Sequence, residues 1–174
     1  AMANNFLTYK GIDVGKSLVE NGTEKIISNI YKEAKKYNCN ILIPEDYNVS
    51  NNFEGSGKIK KENFIGENEM ILDIGPKTIE NIEKIIDQSK TVLWNGPAGY
   101  FENKNFSVGT LAIAKKISSN TAKKSLTSVL GGGDTISAIN KSEDVLSFTH
   151  LSTAGGAFLE FLEGKDLPGL EVLK

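Results

Sequence analysis

The chain has 174 residues, 39% apolar and 24% charged, with a formal net charge of −2. That length supports about one domain with a real core, and the near-neutral balance argues against nucleic acid or an anionic membrane as a partner. All 20 basic residues are lysines, so the chain lacks the guanidinium fork that usually clamps a carboxylate or phosphate.

Residues 1–9 (AMANNFLTY) read as a short helix entered without a preceding strand. Gly11 to Leu18 (GIDVGKSL) resembles a phosphate-binding GxxxxGK loop but fails it. Its glycines are one residue too close, and no apolar strand leads in. It reads as a connection. From Thr23 to Tyr37, Ile26, Ile27, Ile30, Tyr31 and Ala34 recur at helical spacing, with Thr23 as the cap. Cys39–Ile43 reads as a short buried strand ended by Pro44, which puts Cys39 in the core rather than at a reactive site. As the single cysteine it excludes an intrachain disulfide and fits a reducing compartment. No apolar run is long enough to span a membrane and no signal peptide is visible, so the cytoplasm is the expected location.

The polar stretch EDYNVSNNFEGSG reads as a long loop, continuing into a short hairpin through Lys58–Lys60, with Phe53 as a loop anchor or a pocket wall. Met70–Thr78 (MILDIGPKT) is a strand, a Gly-Pro turn and a helix start; Ile79, Ile82, Ile85 and Ile86 line one side of that helix. Thr91–Asn95 is the next strand, followed by GPAGYFEN and a helix over about Ser107–Ser119. Leu126–Asn140 (LTSVLGGGDTISAIN) runs from strand through three glycines into a helix. The strand LSFTHLS, the turn Thr153–Gly156 and a final helix through Phe158–Leu162 complete the pattern, with Gly164 and Pro168 closing it.

Strands alternating with helices at this spacing imply a parallel sheet covered on both faces, and residues 1–174 read as a single domain. The expected class is α/β, a three-layer αβα, Rossmann-like fold with a mostly parallel sheet. In such sheets ligands bind beyond the carboxyl ends of the strands. Four strand ends here carry special loops: DIGPK, NGPAGYFE, GGGDT and STAGG.

Gly131, Gly132 and Gly133 permit close approach of backbone to a ligand, and the helix start at Asp134 and Thr135 offers free N–H groups to an anion. Asp134 suits a phosphate site only with a cation such as Mg²⁺ between them. The alternative is a tight βα turn with Asp134 as its cap.

These loops, in this order, resemble the C-terminal, nucleotide-binding half of phosphoglycerate kinases. The matching segments are Gly15–Glu20, Leu72–Thr78, Val92–Glu102, Leu130–Thr135 and His150–Gly169. The resemblance implies Mg²⁺ with ADP or ATP as cofactor, and reversible phosphoryl transfer from 1,3-bisphosphoglycerate to ADP in glycolysis. It further implies that Glu102 binds the ribose, that Leu72 and Tyr100 flank the adenine with Phe53 near it, and that Asn95 and Pro97 line the phosphate side. Asp134 would hold the metal and Thr135 would reach the phosphates. Gly132, Gly133, Gly155 and Gly156 would face the transferring group, with Gly131 lining the nucleotide. His150 is expected to be a hydrogen-bonded structural group rather than a base, and Lys77 a solvated first-turn lysine.

Two departures bear on this. Ala154 replaces the first glycine of the family's usual GGG run, which is tolerable at negative φ. The family's arginine-bearing N-terminal domain, and the strand-loop with phosphate-contacting lysines that opens its nucleotide domain, have no counterpart in this sequence. The sheet is therefore expected to lack a strand or two near its centre, and its open edge invites self-association. The phosphoglycerate ligand is expected only with the other domain, and the chain alone is expected to be inactive. It is then half of a kinase, a nucleotide-binding module, or an inert product.

Overall fold

The computed structural model describes residues 2–61 and 64–173. Helices α1 (Met2–Tyr9) and α2 (Glu24–Lys36) come first, then strands β1 (Asp46–Ser50), β2 (Lys58–Lys61) and β3 (Met70–Ile74). There follow α3 (Pro76–Gln88), β4 (Thr91–Asn95), α4 (Val108–Ala122), β5 (Thr127–Gly131) and α5 (Gly133–Asn140). The described chain ends with β6 (His150–Ser152), α6 (Gly155–Leu162) and α7 (Pro168–Glu171).

The α/β class holds, but the expected single sheet is divided. β4, β5 and β6 pair in parallel, whereas β2-β1-β3 is a separate antiparallel sheet. The antiparallel sheet packs Tyr47 and Val49 against Leu7, Ile12 and Val14. The parallel sheet packs Leu130, with Val92 and Trp94, against Ile86 of α3 and Ile113 and Ile117 of α4. Ile74 at the end of β3 joins this second cluster.

Two buried aspartates tie the sheets to the helices. Neither α3 nor α4 is capped by its own N-cap side chain. Instead Asp46 of β1 accepts from Lys77 N at 2.9 Å and from Thr78 N at 2.8 Å. Asp73 of β3 accepts from Gly109 N and from Ile74 N, each at 2.9 Å. Both carboxylates thus satisfy orphan donors at helix starts while lying in a strand.

Three local expectations are corrected. Cys39–Ile43 forms no strand and Cys39 is exposed. The strand lies in the stretch read as loop, where Asp46 and Asn48 are buried with their own hydrogen-bond partners and Tyr47 and Val49 enter the core. Thr23 stands at the N-cap of α2 without a capping bond; its hydroxyl donates to Glu20 O at 3.4 Å. The hairpin through Lys58–Lys60 is present as β1–β2, and Gly11–Leu18 is the expected connection, with Gly15 at φ +58°.

β4 has a hydrogen-bonded neighbour on one side only among the described strands. Its partner-aligned residues Leu93, Val129 and His150 share one face of the sheet. That face is open at its margins: Leu93 is 47% exposed and His150 is exposed. An apolar slot of about 230 Å³ is lined by Leu42, Pro44, Ile74 at the end of β3, Ile82 of α3 and Pro97 among others. The total surface, 10,989 Å², exceeds the roughly 8,300 Å² typical of a folded monomer of this mass.

Burial pushes the Asp73 carboxyl up to about 6 against the hydrogen bonds that lower it. Its folded value lies above its unfolded one, so its contribution is fully present below pH 4 and is lost as pH rises through 6. Denaturant titrations of wild type and Asp73→Asn at pH 4 and pH 7 are expected to differ in ΔΔG by on the order of 3 kcal/mol. Wild type should be the one that loses relative stability at pH 7.

Candidate functional site

Register assembles the site edge. Asn95, Gly131 and Ser152 are partners across β4, β5 and β6, so the three strands end level with one another. The NGP, GGGD and STAGG segments therefore leave the sheet side by side. Gly132 has φ +91° and starts α5 directly. A Cβ on Gly132 would stand 3.0 Å from Asn95 Oδ1, and one on Gly131 would press on the Phe158 ring. Both glycines are needed for this close packing, beyond any service to a ligand.

Asp134 and Gly133 are exposed in the first turn of α5, beside the free amide groups of its start. Thr135 is differently placed. It is fully buried, and its hydroxyl accepts from Gly96 N at 2.7 Å. Two other threonines at the third position of their helices do the same. Thr78 of α3 accepts from Glu45 N at 3.0 Å, and Thr110 of α4 accepts from Ala98 N at 3.0 Å. Each hydroxyl thereby fixes the loop next to its own helix start. These anchors, like the two aspartate caps, carry no local sequence signal, because their partners lie 12 to 39 positions away.

At α6 the Ala154 backbone sits at φ −76°, where alanine is unstrained, and Gly155 takes the positive φ of +43°. Gly156 is exposed beside it. Asn95 is exposed at the end of β4, and Pro97 is half-buried and borders the apolar slot lined by Ile74 and Ile82.

Beyond the glycine edge lies a second surface. Tyr100 N donates to Leu72 O at 2.7 Å, which seats the Gly96–Phe101 segment on β3. Leu72 itself is buried. The Phe53 and Tyr100 rings meet at 4.9 Å between centroids, tilted by 52°. Together with Glu54, Glu102, Asn103 and Lys104 they line an open cleft of about 550 Å³. Phe53 is thus both a loop anchor and a cleft wall. His150 makes no side-chain hydrogen bond among the described residues and stands at the start of β6, away from the loop edge. Lys77 is exposed and paired with Glu45, and this carboxylate raises its pKa.

A parallel sheet with glycine-rich βα turns side by side at its carboxyl edge defines a protein of the open α/β class, in which ligands bind at that edge. The family model described as phosphoglycerate kinase matches residues 1–165. Phosphoglycerate kinase of Wolbachia pipientis wMel is 44% identical over 176 residues, covering 100% of this chain and 44% of that protein. That of Zymomonas mobilis is 43% identical over 175 residues, with 99% and 44% covered. The solved structure of phosphoglycerate kinase from Coxiella burnetii superposes with a TM-score of 0.89 at 38% identity, covering 99% of this chain and 44% of that one. The chain belongs to the phosphoglycerate kinase family, and it spans about 44% of the length of these relatives.

Thr135→Val should leave the half-buried Gly96 N–H without its acceptor, at a cost of about 1 kcal/mol. Thr135→Ser keeps the acceptor and should cost less than half as much. Urea midpoints of the two variants check this; equal losses would mean that the methyl group rather than the hydroxyl matters.

Proposed function

We propose that this chain is the nucleotide-binding half of a phosphoglycerate kinase, binding Mg²⁺ with ADP or ATP along the carboxyl edge of the parallel sheet. The observation that carries the proposal is the level ending of β4, β5 and β6, which sets the NGP, GGGD and STAGG turns in one row. In this reading Glu102 takes the ribose hydroxyls, as an exposed acceptor-only group. Tyr100, with the Phe53 ring packed against it, forms one wall for the adenine, and buried Leu72 holds Tyr100 by its main chain rather than meeting the base itself. Asn95, Pro97 and Gly131 line the phosphate side.

Asp134 holds the cation. No group of three or more metal-ligating side chains exists among the described residues. A single exposed carboxylate fits Mg²⁺, which is commonly bound through one or two carboxylates, nucleotide phosphates and water. A bound Mg²⁺ neutralises phosphate charge during transfer. Gly132, Gly133, Gly155 and Gly156 present backbone to the transferring group, where positioned N–H donors stabilise developing charge. Thr135, with its hydroxyl engaged by Gly96 N, serves the phosphates by fixing the loop beside them.

The chain carries no arginine, so 1,3-bisphosphoglycerate or 3-phosphoglycerate binds only with a second, guanidinium-bearing domain. Alone, the chain binds nucleotide without turning it over. The unpaired edge of β4 and the excess surface favour self-association as well.

Calorimetric titration with Mg·ADP is expected to give saturable binding, weakened at least tenfold by Asp134→Ala. A folded wild type that takes up no ADP would overturn the nucleotide reading. A coupled assay with phosphoglycerate and ATP should give no turnover above the blank. Sedimentation should show oligomers that Leu93→Lys, a charge beside the open edge, shifts towards monomer.

A further inference from the structure

The aromatic cleft is held together by asparagine amides as well as by the contact of the Phe53 and Tyr100 rings. The loop 51–57 between β1 and β2 is polar and carries Phe53 at 49% exposure. Asn103 ties it to the Tyr100 segment. Its Nδ2 donates to Phe53 O at 2.7 Å and reaches Gly55 O at 3.4 Å, while its Oδ1 accepts from Asn105 N at 2.9 Å. One side chain therefore caps the 3-10 turn Lys104–Phe106 and grips the opposite loop. Asn105 adds a bond from Nδ2 to Gly55 O at 3.1 Å. Asn48 of β1 in turn donates to Asn105 O at 2.9 Å.

The effect is a strap across two segments distant in sequence. Asn103 N also donates to Tyr100 O at 3.2 Å, so the same residue is tied to both aromatic rings through their own main chains. Beneath it Phe106 is fully buried and fixes the end of the turn. An amide is the side chain suited to this double duty, since it offers an acceptor and two donors in one plane.

We propose that Asn103 is a positioning residue for the nucleotide base: it sets Phe53 against Tyr100 and so shapes the base-binding wall without touching the phosphates. This rests on the nucleotide reading above. Loss of the amide donor should free the Phe53 loop and weaken recognition of the base, leaving the glycine edge intact.

The test uses Asn103→Ser and Asn103→Asp. Both retain an oxygen able to cap the turn and both lose the amide donors; they differ in charge. Affinities for Mg·ADP and for magnesium pyrophosphate are measured by calorimetry, with thermal unfolding as a check on the fold. The expected result is about tenfold weaker ADP binding in both variants, with pyrophosphate within twofold of wild type, as for loss of about one hydrogen bond's worth of positioning. Unchanged ADP binding would overturn the proposal, as would equal weakening of both ligands, which is what general destabilisation gives. A wild type that binds pyrophosphate but not ADP, or neither, would overturn the nucleotide reading and this proposal with it.

Discussion

The architecture depends on two carboxylates that leave their own strands to cap helices. Asp46 and Asp73 lie on neighbouring strands of the antiparallel sheet, yet the helices they cap pack on the core of the parallel sheet. A buried carboxylate is costly to desolvate, and the cost is visible at Asp73 in its raised pKa. The backbone donors at a helix start offset part of it. Gly99 and Gly109 crowd Asp73 so closely that a Cβ on either would overlap its carboxyl oxygen. The strap between the two cores is therefore polar, directional and intolerant of substitution.

The same economy governs the loop edge. Thr78, Thr110 and Thr135 each occupy the third position of a helix, and each hydroxyl takes a backbone N–H from an adjacent loop. Helices and loops are thereby indexed to one another without any large side chain entering the edge. Space remains for the glycine turns, of which Gly133 and Gly156 are exposed.

The pattern of βα units and the glycine turns were legible in the sequence because they rest on local signals: period-3.6 isoleucines, Gly-Pro turns and a strand run into GGG. The division of the sheet, which puts the DIGPK loop on a different sheet from the other three, was not. Nor was the first strand. DYNVS alternates correctly, but its polar residues are buried by partners 31 to 57 positions away, which no local window reveals. CNILI is apolar enough for a strand, yet it forms none: Leu42 is 43% exposed and borders an apolar slot beside α3 instead. The family motifs supplied the candidate residues of the site, while the threonine and asparagine clasps beside those residues emerged only from the fold.

Trp94 is the only tryptophan in the chain. Its indole N–H donates to Gly96 O at 2.7 Å, and the amide of that same Gly96 is held by Thr135 at the start of α5. The fluorophore is thus wired through one residue to the glycine edge. Its emission is a built-in optical gauge of whether that turn is seated, readable in the unlabelled protein.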